Sequence, residues 1–390
     1  MKNIVNTTCK KKKIAIITLN GYSNFGNRFQ NFALQQTLKS YADRIDTLLI
    51  RDGKKKEHNF QSSLLYTIKK NLKSISYHDF MRKGLSVVLF RVICYRHVKN
   101  KRRLRYQAFV AFSEKFISEI DSGLTHEFIP TSLEVDYDYF IVGSDQVWNP
   151  LFPEFSELFF LTFAPKQKRI AYAPSFGINE LPERFNKDFT SWIMGFDHLS
   201  VREKLGAEII MTLTGRDVPV VLDPTMLLTK EDWLNASEPV GNIPKKPYIF
   251  IYFLGVLDPK INKEIKRFAK EQHMQIVRIN DITSKFYAIG PSEFITLLDQ
   301  ASLVLTDSFH GTVFSIIFEK PFLTYKRIGR NDMYSRIETL FSLLHLQGRK
   351  DMSLSDPNLL KIDYTEVIEL LQIERTKAID YLSGCFAPNK

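Results

Sequence analysis

Thr306-Asp-Ser-Phe-His-Gly-Thr-Val-Phe-Ser-Ile-Ile-Phe318 holds the residues best suited to chemistry. An apolar strand ends within it, a short polar turn carries Ser308 and His310, and Gly311-Thr312 opens an apolar helix. In open α/β sheets, ligands sit beyond the carboxyl ends of the strands. A helix that starts there offers unpaired backbone N–H groups and a partial positive charge to an anion. Gly311 lets the backbone come close, Thr312 adds a hydroxyl donor, and His310 is set to move a proton near neutral pH. The plainer alternative is a histidine that only caps the helix.

Phe140-Ile-Val-Gly-Ser-Asp-Gln-Val-Trp-Asn149 follows the same logic, with a strand delivering Gly143, Ser144 and Asp145 to its carboxyl end. Asp145 and Asn149 suit sugar hydroxyls and Trp148 suits the face of a sugar ring; the alternative is a turn capped by Asp145 with Trp148 in the core. Asn24-Phe-Gly-Asn-Arg-Phe-Gln30 offers Gly26 for a tight turn and Asn27 as an N-cap, with Arg28 or Gln30 facing a cleft. It is neither a dinucleotide-binding fingerprint nor a phosphate-binding P-loop. Arg202, after another strand, can fork onto a carboxylate or phosphate, or pair with Glu203 or Asp197. Asp223-Pro-Thr reads better as a capped turn than as a site. Lys326-Arg-Ile-Gly-Arg330 ends a later strand and supplies cations such as Lys326 and Arg327, or simply meets solvent.

These segments need a frame that brings strand ends together. Ile14–Leu19 reads as a buried parallel strand, Asn27–Tyr41 as a helix and Asp46–Ile50 as a second strand, the opening of a Rossmann-like domain. Residues 54–118 break the alternation with basic helical stretches near Leu64–Ser76 and Met81–Ile117. Strands resume at Tyr139–Val142, Arg169–Ala173, His198–Val201 and Val218–Val221. A Pro-, Gly- and Lys-rich linker at 238–247 precedes a second alternation. There, strands at Tyr248–Leu254, Gln275–Ile279, Ser302–Thr306 and Phe322–Tyr325 alternate with helices at Pro259–Glu271, Pro291–Gln300 and Thr312–Phe318. A last helix covers about Thr365–Leu382. The expectation is an α/β protein of two Rossmann-like lobes facing a central cleft. Residues 1–237 form the first lobe with its basic helical insertion, and 248–390 form the second with its terminal helix.

The 390 residues, 44% hydrophobic and 25% charged, suit a globular chain of two domains. Cys9, Cys94 and Cys385 have no metal-binding spacing and fit a reducing compartment. The N-terminus has no secretory pattern and no apolar run spans a bilayer, so a soluble cytoplasmic protein is expected. Residues 1–130 carry 25 Lys and Arg against 9 Asp and Glu, whereas the remainder is net acidic. That asymmetry suggests an acidic partner or a solvated helical face. A nucleic-acid-binding protein is the non-enzymatic alternative, but the cluster lacks zinc spacing, an aromatic RNA-binding pattern and a helix-turn-helix. No nucleic-acid partner is expected.

Six segments in order resemble the polysaccharide pyruvyl transferase family. They are Asn24–Gln35 (NFGNRFQNFALQ), Val142–Asn149 (VGSDQVWN), Ala173–Gly177 (APSFG), Ser200–Glu203 (SVRE), Asp223–Leu228 (DPTMLL) and Thr306–Phe322. The resemblance implies a fold like the two-lobed GT-B glycosyltransferases, phosphoenolpyruvate as donor and no metal or other cofactor. The acceptor it implies is a surface glycan or its lipid-linked precursor, left bearing a pyruvate ketal. Some members read Ser-x-Arg-Leu-His-Gly in the second lobe; here Ser308 and Phe309 replace Arg-Leu before His310 and Gly311. His310 is then the expected acid/base, with Asp145 as a second candidate. Arg202, Ser308, Gly311, Thr312, Lys326 and Arg327 are expected to hold the donor. Asn24, Asn27, Arg28, Gln30, Ser144, Trp148 and Asn149 are expected on the acceptor side. The basic stretch Lys54–Arg105 would suit peripheral contact with an anionic membrane surface. A nucleotide-sugar glycosyltransferase is the alternative enzyme.

Overall fold

The computed structural model describes residues 12–51, 77–153, 155–327, 334–350 and 352–387, and for 77–94 the backbone alone. Two parallel sheets organise it. The first runs β3-β2-β1-β4-β5-β6. Its strands are β1 Lys13–Ile17, β2 Arg44–Leu48, β3 Glu119–Ile120, β4 Tyr139–Val142, β5 Arg169–Ala171 and β6 His198–Leu199. The second runs β10-β9-β7-β8, with β7 Tyr248–Tyr252, β8 Gln275–Arg278, β9 Leu303–Thr306 and β10 Phe322–Thr324. Strands such as Ile14–Ile17 and Tyr248–Tyr252 are buried along their whole apolar runs because helices cover both faces of a parallel sheet. Val218–Val221, expected as a strand, makes only a single bridge between Val201 and Val220.

The space between the lobes is largely filled. The opening helix, Phe25–Leu38, belongs to the first lobe yet sends Phe25 and Phe29 into the second. Phe25 lies 4.7 Å from Phe294, and Phe29 lies 4.5 Å from Phe314, ring centre to ring centre. One apolar core therefore runs from this helix through Trp233 to Phe250 and Phe314. Burying such rings supplies about 1.5–3 kcal/mol each, so the lobes are joined by a shared interior as well as by a linker.

Helix Tyr77–Phe116 also bridges the lobes, which corrects its reading as an insertion confined to the first. Arg105 is buried and donates to the carbonyls of Ile279 (2.9 Å) and Tyr287 (3.0 Å) and to Asn280 (2.9 Å). Its guanidinium stacks over Phe25 at 4.6 Å. Lys101 donates to the carbonyls of Ile282 and Ser284. These two cations hold the second lobe and are not presented to a membrane surface. Residues 54–76 of the basic stretch lie outside the described residues. Among the described residues no helix is long and apolar enough to cross a membrane.

The closing helix, Thr365–Phe386, was expected with the second lobe but returns to the first. Ala378, Leu382, Cys385 and Phe386 pack with Ile14, Ile16, Leu34 and Ile141 of the first lobe. Tyr381 donates to the Ala171 carbonyl of β5 at 3.0 Å. Its apolar stripe is complementary to the outer face of β1 and β4, a pairing that periodicity alone does not assign to either sheet.

Candidate active site

The ends of β4, β6 and β9 meet the N-terminus of the opening helix between the lobes. On the second-lobe side, helix Phe309–Ile317 starts three residues earlier than expected, because Ser308 is its N-cap and accepts from Gly311 N at 3.3 Å. His310 consequently lies in the first helical turn. Its ring is 6% exposed, packed so closely on the opening helix that a Cβ at Gly26 would overlap it. Only glycine fits there. Nε2 of His310 faces Asp223 Oδ2 at 3.7 Å, an ion-pair distance too long for a hydrogen bond. The ring is thus enclosed by the two lobes and does not stand at an open mouth.

Three carboxylates and a guanidinium form the first-lobe side. Arg202 donates to Asp223 at 2.6 Å and to Asp145 at 3.3 Å, and stacks over Phe309 at 4.6 Å. Asp223 also receives the Ser144 hydroxyl at 3.1 Å and caps the next turn by accepting from Thr225 N and Oγ1. Burial disfavours the charge on Asp223, but His310 and Arg202 outweigh it and hold the carboxyl well below the usual range. Burial likewise opposes the charge on Arg202, yet Asp223 and Asp145 raise its pKa on balance. Asp145 takes a further bond from Asn27 at 2.8 Å. Glu203 accepts from Ser175 Oγ and Phe176 N, each at 3.0 Å, and thereby fixes the neighbouring turn.

Several expected site residues instead shape or support this cluster. Trp148 is fully buried, stacked on Phe160 at 5.1 Å with its indole N–H on the Phe159 carbonyl, so it is a core residue and no sugar platform. Asn149 is buried, donating to Gln146 and capping Leu151 N. Arg28 is spent on Glu119 at 2.5 Å and on Ser113, away from the cluster. Gln30 holds Thr18 through its amide nitrogen and accepts from Ser144 N, steadying the turn after β4. Gly143 in that turn has φ 116 and lies against the Tyr172 carbonyl, a conformation and clearance that exclude a side chain. Ser144 bonds Ala173 O and Asp223, which makes it a support for the carboxylate. Asn24, not Asn27, caps the opening helix. Thr312 is fully buried, with its hydroxyl on Ser308 O and Thr324. Gly311 N is held by the Ser308 cap, so neither Gly311 nor Thr312 presents the anion donors expected of them.

Lys326 is exposed at the rim, while Arg327 is half-buried and held by Asp307 at 3.3 Å. Asp307 in turn receives Leu254 N and Gly255 N at 2.6 and 2.7 Å. Two further residues were not expected. Phe309 has its ring 4.6 Å from the guanidinium of Arg202 and 5.8 Å from that of Arg336. Arg336, on helix Ser335–Leu343, is 5% exposed and reaches Asp145 only at 4.0 Å. Its legible signal was a charge one turn before Leu340 on the apolar stripe of that helix.

Buried polar atoms are nearly always satisfied. Here Arg202 Nε, Glu203 Oε2, His310 Nε2 and Arg336 Nε have no hydrogen-bond partner among the described residues. Four of the seven such atoms among the described residues lie around this interlobe point, which makes it the candidate site for a polar molecule.

A family model of polysaccharide pyruvyl transferases matches residues 24–327. The chain belongs to the polysaccharide pyruvyl transferase family. It is therefore a transferase with a polysaccharide acceptor, built as two α/β lobes with parallel sheets. No curated protein sequence matches it. Among solved structures it is similar to a candidate UDP-N-acetylglucosamine 2-epimerase from Listeria monocytogenes, at 11% identity and TM-score 0.45, over 96% of this chain and 91% of that one. It is also similar to the UDP-GlcNAc 2-epimerase from Neisseria meningitidis, at 11% identity and TM-score 0.36, over 93% and 100% of the two chains. A heptosyltransferase from E. coli shows 10% identity and TM-score 0.32, over 82% and 88%. Such distant likeness says nothing about substrate.

Proposed function

We propose that this pyruvyl transferase takes phosphoenolpyruvate as donor and leaves a cyclic pyruvate ketal on a sugar of a surface glycan, releasing phosphate. The observation that carries this reading is His310 Nε2, buried without a hydrogen bond beside Asp223 and Arg202 of the opposite lobe. A proton donor enclosed with guanidinium groups suits an anionic enol ester, whose reaction begins with a proton on carbon.

His310 as imidazolium gives its proton to the methylene carbon, and positive charge develops at C2. A sugar hydroxyl adds there and passes its proton to a base, for which Asp145 is the choice. A second hydroxyl of the same sugar displaces phosphate and closes the ketal. Of the two hydroxyl protons released, one restores the imidazolium of His310 and the other leaves with phosphate, so the protein's groups end as they began. Asp223 steadies the charged ring during the first step, while Arg202 and Arg327 attract the donor's phosphate and carboxylate. Enclosure of the ring by both lobes keeps water from competing with the sugar.

The test supplies the full chain with a lipid-linked oligosaccharide and either phosphoenolpyruvate or nucleotide-sugars. Phosphate release with a ketal detected on the glycan by mass spectrometry is expected. Consumption of a nucleotide-sugar, with phosphoenolpyruvate untouched, would overturn the reading in favour of a glycosyltransferase.

A further inference from the structure

Arg336 stands out among the buried charges of this protein. Arg28, Arg105 and Arg202 are each matched to carboxylates or carbonyls at 2.5 to 3.3 Å. Arg336 is as deeply buried, yet its nearest carboxylate oxygen, Asp145 Oδ1, is 4.0 Å away and already receives Arg202. The other oxygen of Asp145 is taken by Asn27. Nε of Arg336 has no partner among the described residues, as is true of Arg28 and Arg202, but those two have close carboxylates at their other nitrogens and Arg336 has none. A buried guanidinium without close compensation is costly, and a bound anion is the usual compensation.

The surroundings are built for such an anion. Arg336 and Arg327 line one cleft with Phe309, Tyr325, Tyr334 and Asp307. Asp307, which holds Arg327 at 3.3 Å and also accepts from two backbone N–H groups, is a single carboxylate facing two guanidiniums, so one positive charge is left over. The ring of Phe309 meets both guanidiniums, that of Arg202 at 4.6 Å and that of Arg336 at 5.8 Å. Burial, and next the charge of Arg202, press the Arg336 pKa down to about 10, the direction a bound anion would reverse. Ser308 and Phe309 before His310 carry no charge, and Arg336 lies beyond the stretch that the family model matches.

We propose that Arg336, with Arg327 across the cleft, is the donor-binding wall of the second lobe and receives the phosphate or carboxylate of a small, multiply charged anion. This rests on the donor reading above. The anion enters between the two guanidiniums, and the ring of Phe309 packs against both Arg336 and Arg202.

Inorganic phosphate and phosphoenolpyruvate, titrated calorimetrically into the full chain and into Arg336→Met, test it, alongside thermal melts with and without each anion. The wild type should bind both anions and melt higher with them. Arg336→Met should bind them about 10–100-fold more weakly, while its anion-free melting temperature equals or exceeds that of the wild type. Unchanged anion affinity in the variant overturns the proposal. So does a wild type that binds neither anion, or a variant that melts lower with affinity intact, which would make the charge structural. If Arg336→Met does not fold, Arg336→Gln carries the same comparison. Anion binding lost in the variant, with no ketal formed by the wild type, upholds the anion site and removes the reaction. Turnover of phosphoenolpyruvate with an unaltered KM in the variant removes the site and leaves the reaction standing.

Discussion

On the first-lobe wall of the site, Arg202 is gripped by Asp223 at 2.6 Å and Asp145 at 3.3 Å, and both carboxylates are shared with hydroxyl or amide donors. On the second-lobe wall, His310 and Arg336 approach the same two carboxylates at only 3.7 and 4.0 Å. On the first wall the carboxylates are closely paired, with side chains such as Ser144, Gln30 and Thr225 spent on holding it, although Arg202 Nε and Glu203 Oε2 have no partner among the described residues. The second wall has no carboxylate within hydrogen-bond distance of His310 or Arg336. The difference teaches that residues on the paired wall should contribute to stability as much as to rate, whereas those on the unpaired wall should matter chiefly for binding and chemistry.

The largest expected effect tests the unpaired wall. His310→Gln, which keeps most of the buried volume, should lower phosphate release from phosphoenolpyruvate by about 10²–10⁴-fold, with the melting temperature nearly unchanged because Nε2 makes no hydrogen bond to lose. A large fall in melting temperature alongside intact turnover would break the comparison.

Next comes the paired wall. Asp223→Asn should destabilise the fold by about 3–5 kcal/mol, since it strands Arg202 in the interior, measured by denaturant unfolding. The folded-state pKa of Asp223 is depressed. Its contribution is therefore complete above the unfolded carboxylate value of about 3.9 and is lost as pH falls below it. The wild type should lose stability on acidification through that range more steeply than Asp223→Asn. Equal acid limbs would show that Asp223 is not held by its partners.

The smallest effect separates core from site. Trp148→Phe should cost about 1–3 kcal/mol through lost volume and the lost indole hydrogen bond, and leave the KM for acceptor unchanged. A raised acceptor KM with unaltered stability would return Trp148 to the sugar-binding role that its sequence position suggested.

Much of the frame was legible because buried parallel strands are continuous apolar runs, and helices carry their caps in the sequence. Tyr139–Val142 and Pro259–Glu271 fall where the pattern puts them. The importance of the stretch around His310 was legible from an apolar strand ending in polar residues before a helix. The fate of individual side chains was not. Strand-end turns alternate their side chains between site and core, and a one-residue pattern gives Asp145 and Trp148 equal claim to the site.

The sequence by itself determined the two α/β alternations, the strand ends that carry His310, Asp145 and Arg202, and the family that these motifs mark, because such features are local and periodic. The return of the closing helix to the first sheet, the clamp of Arg105 on the second lobe and the contact of Phe309 with both Arg202 and Arg336 came from packing alone. Those pairings join residues as far apart as 174 positions (Arg105 and Ile279) and 210 positions (Ala171 and Tyr381), and depend on which faces fit together; no local pattern encodes them.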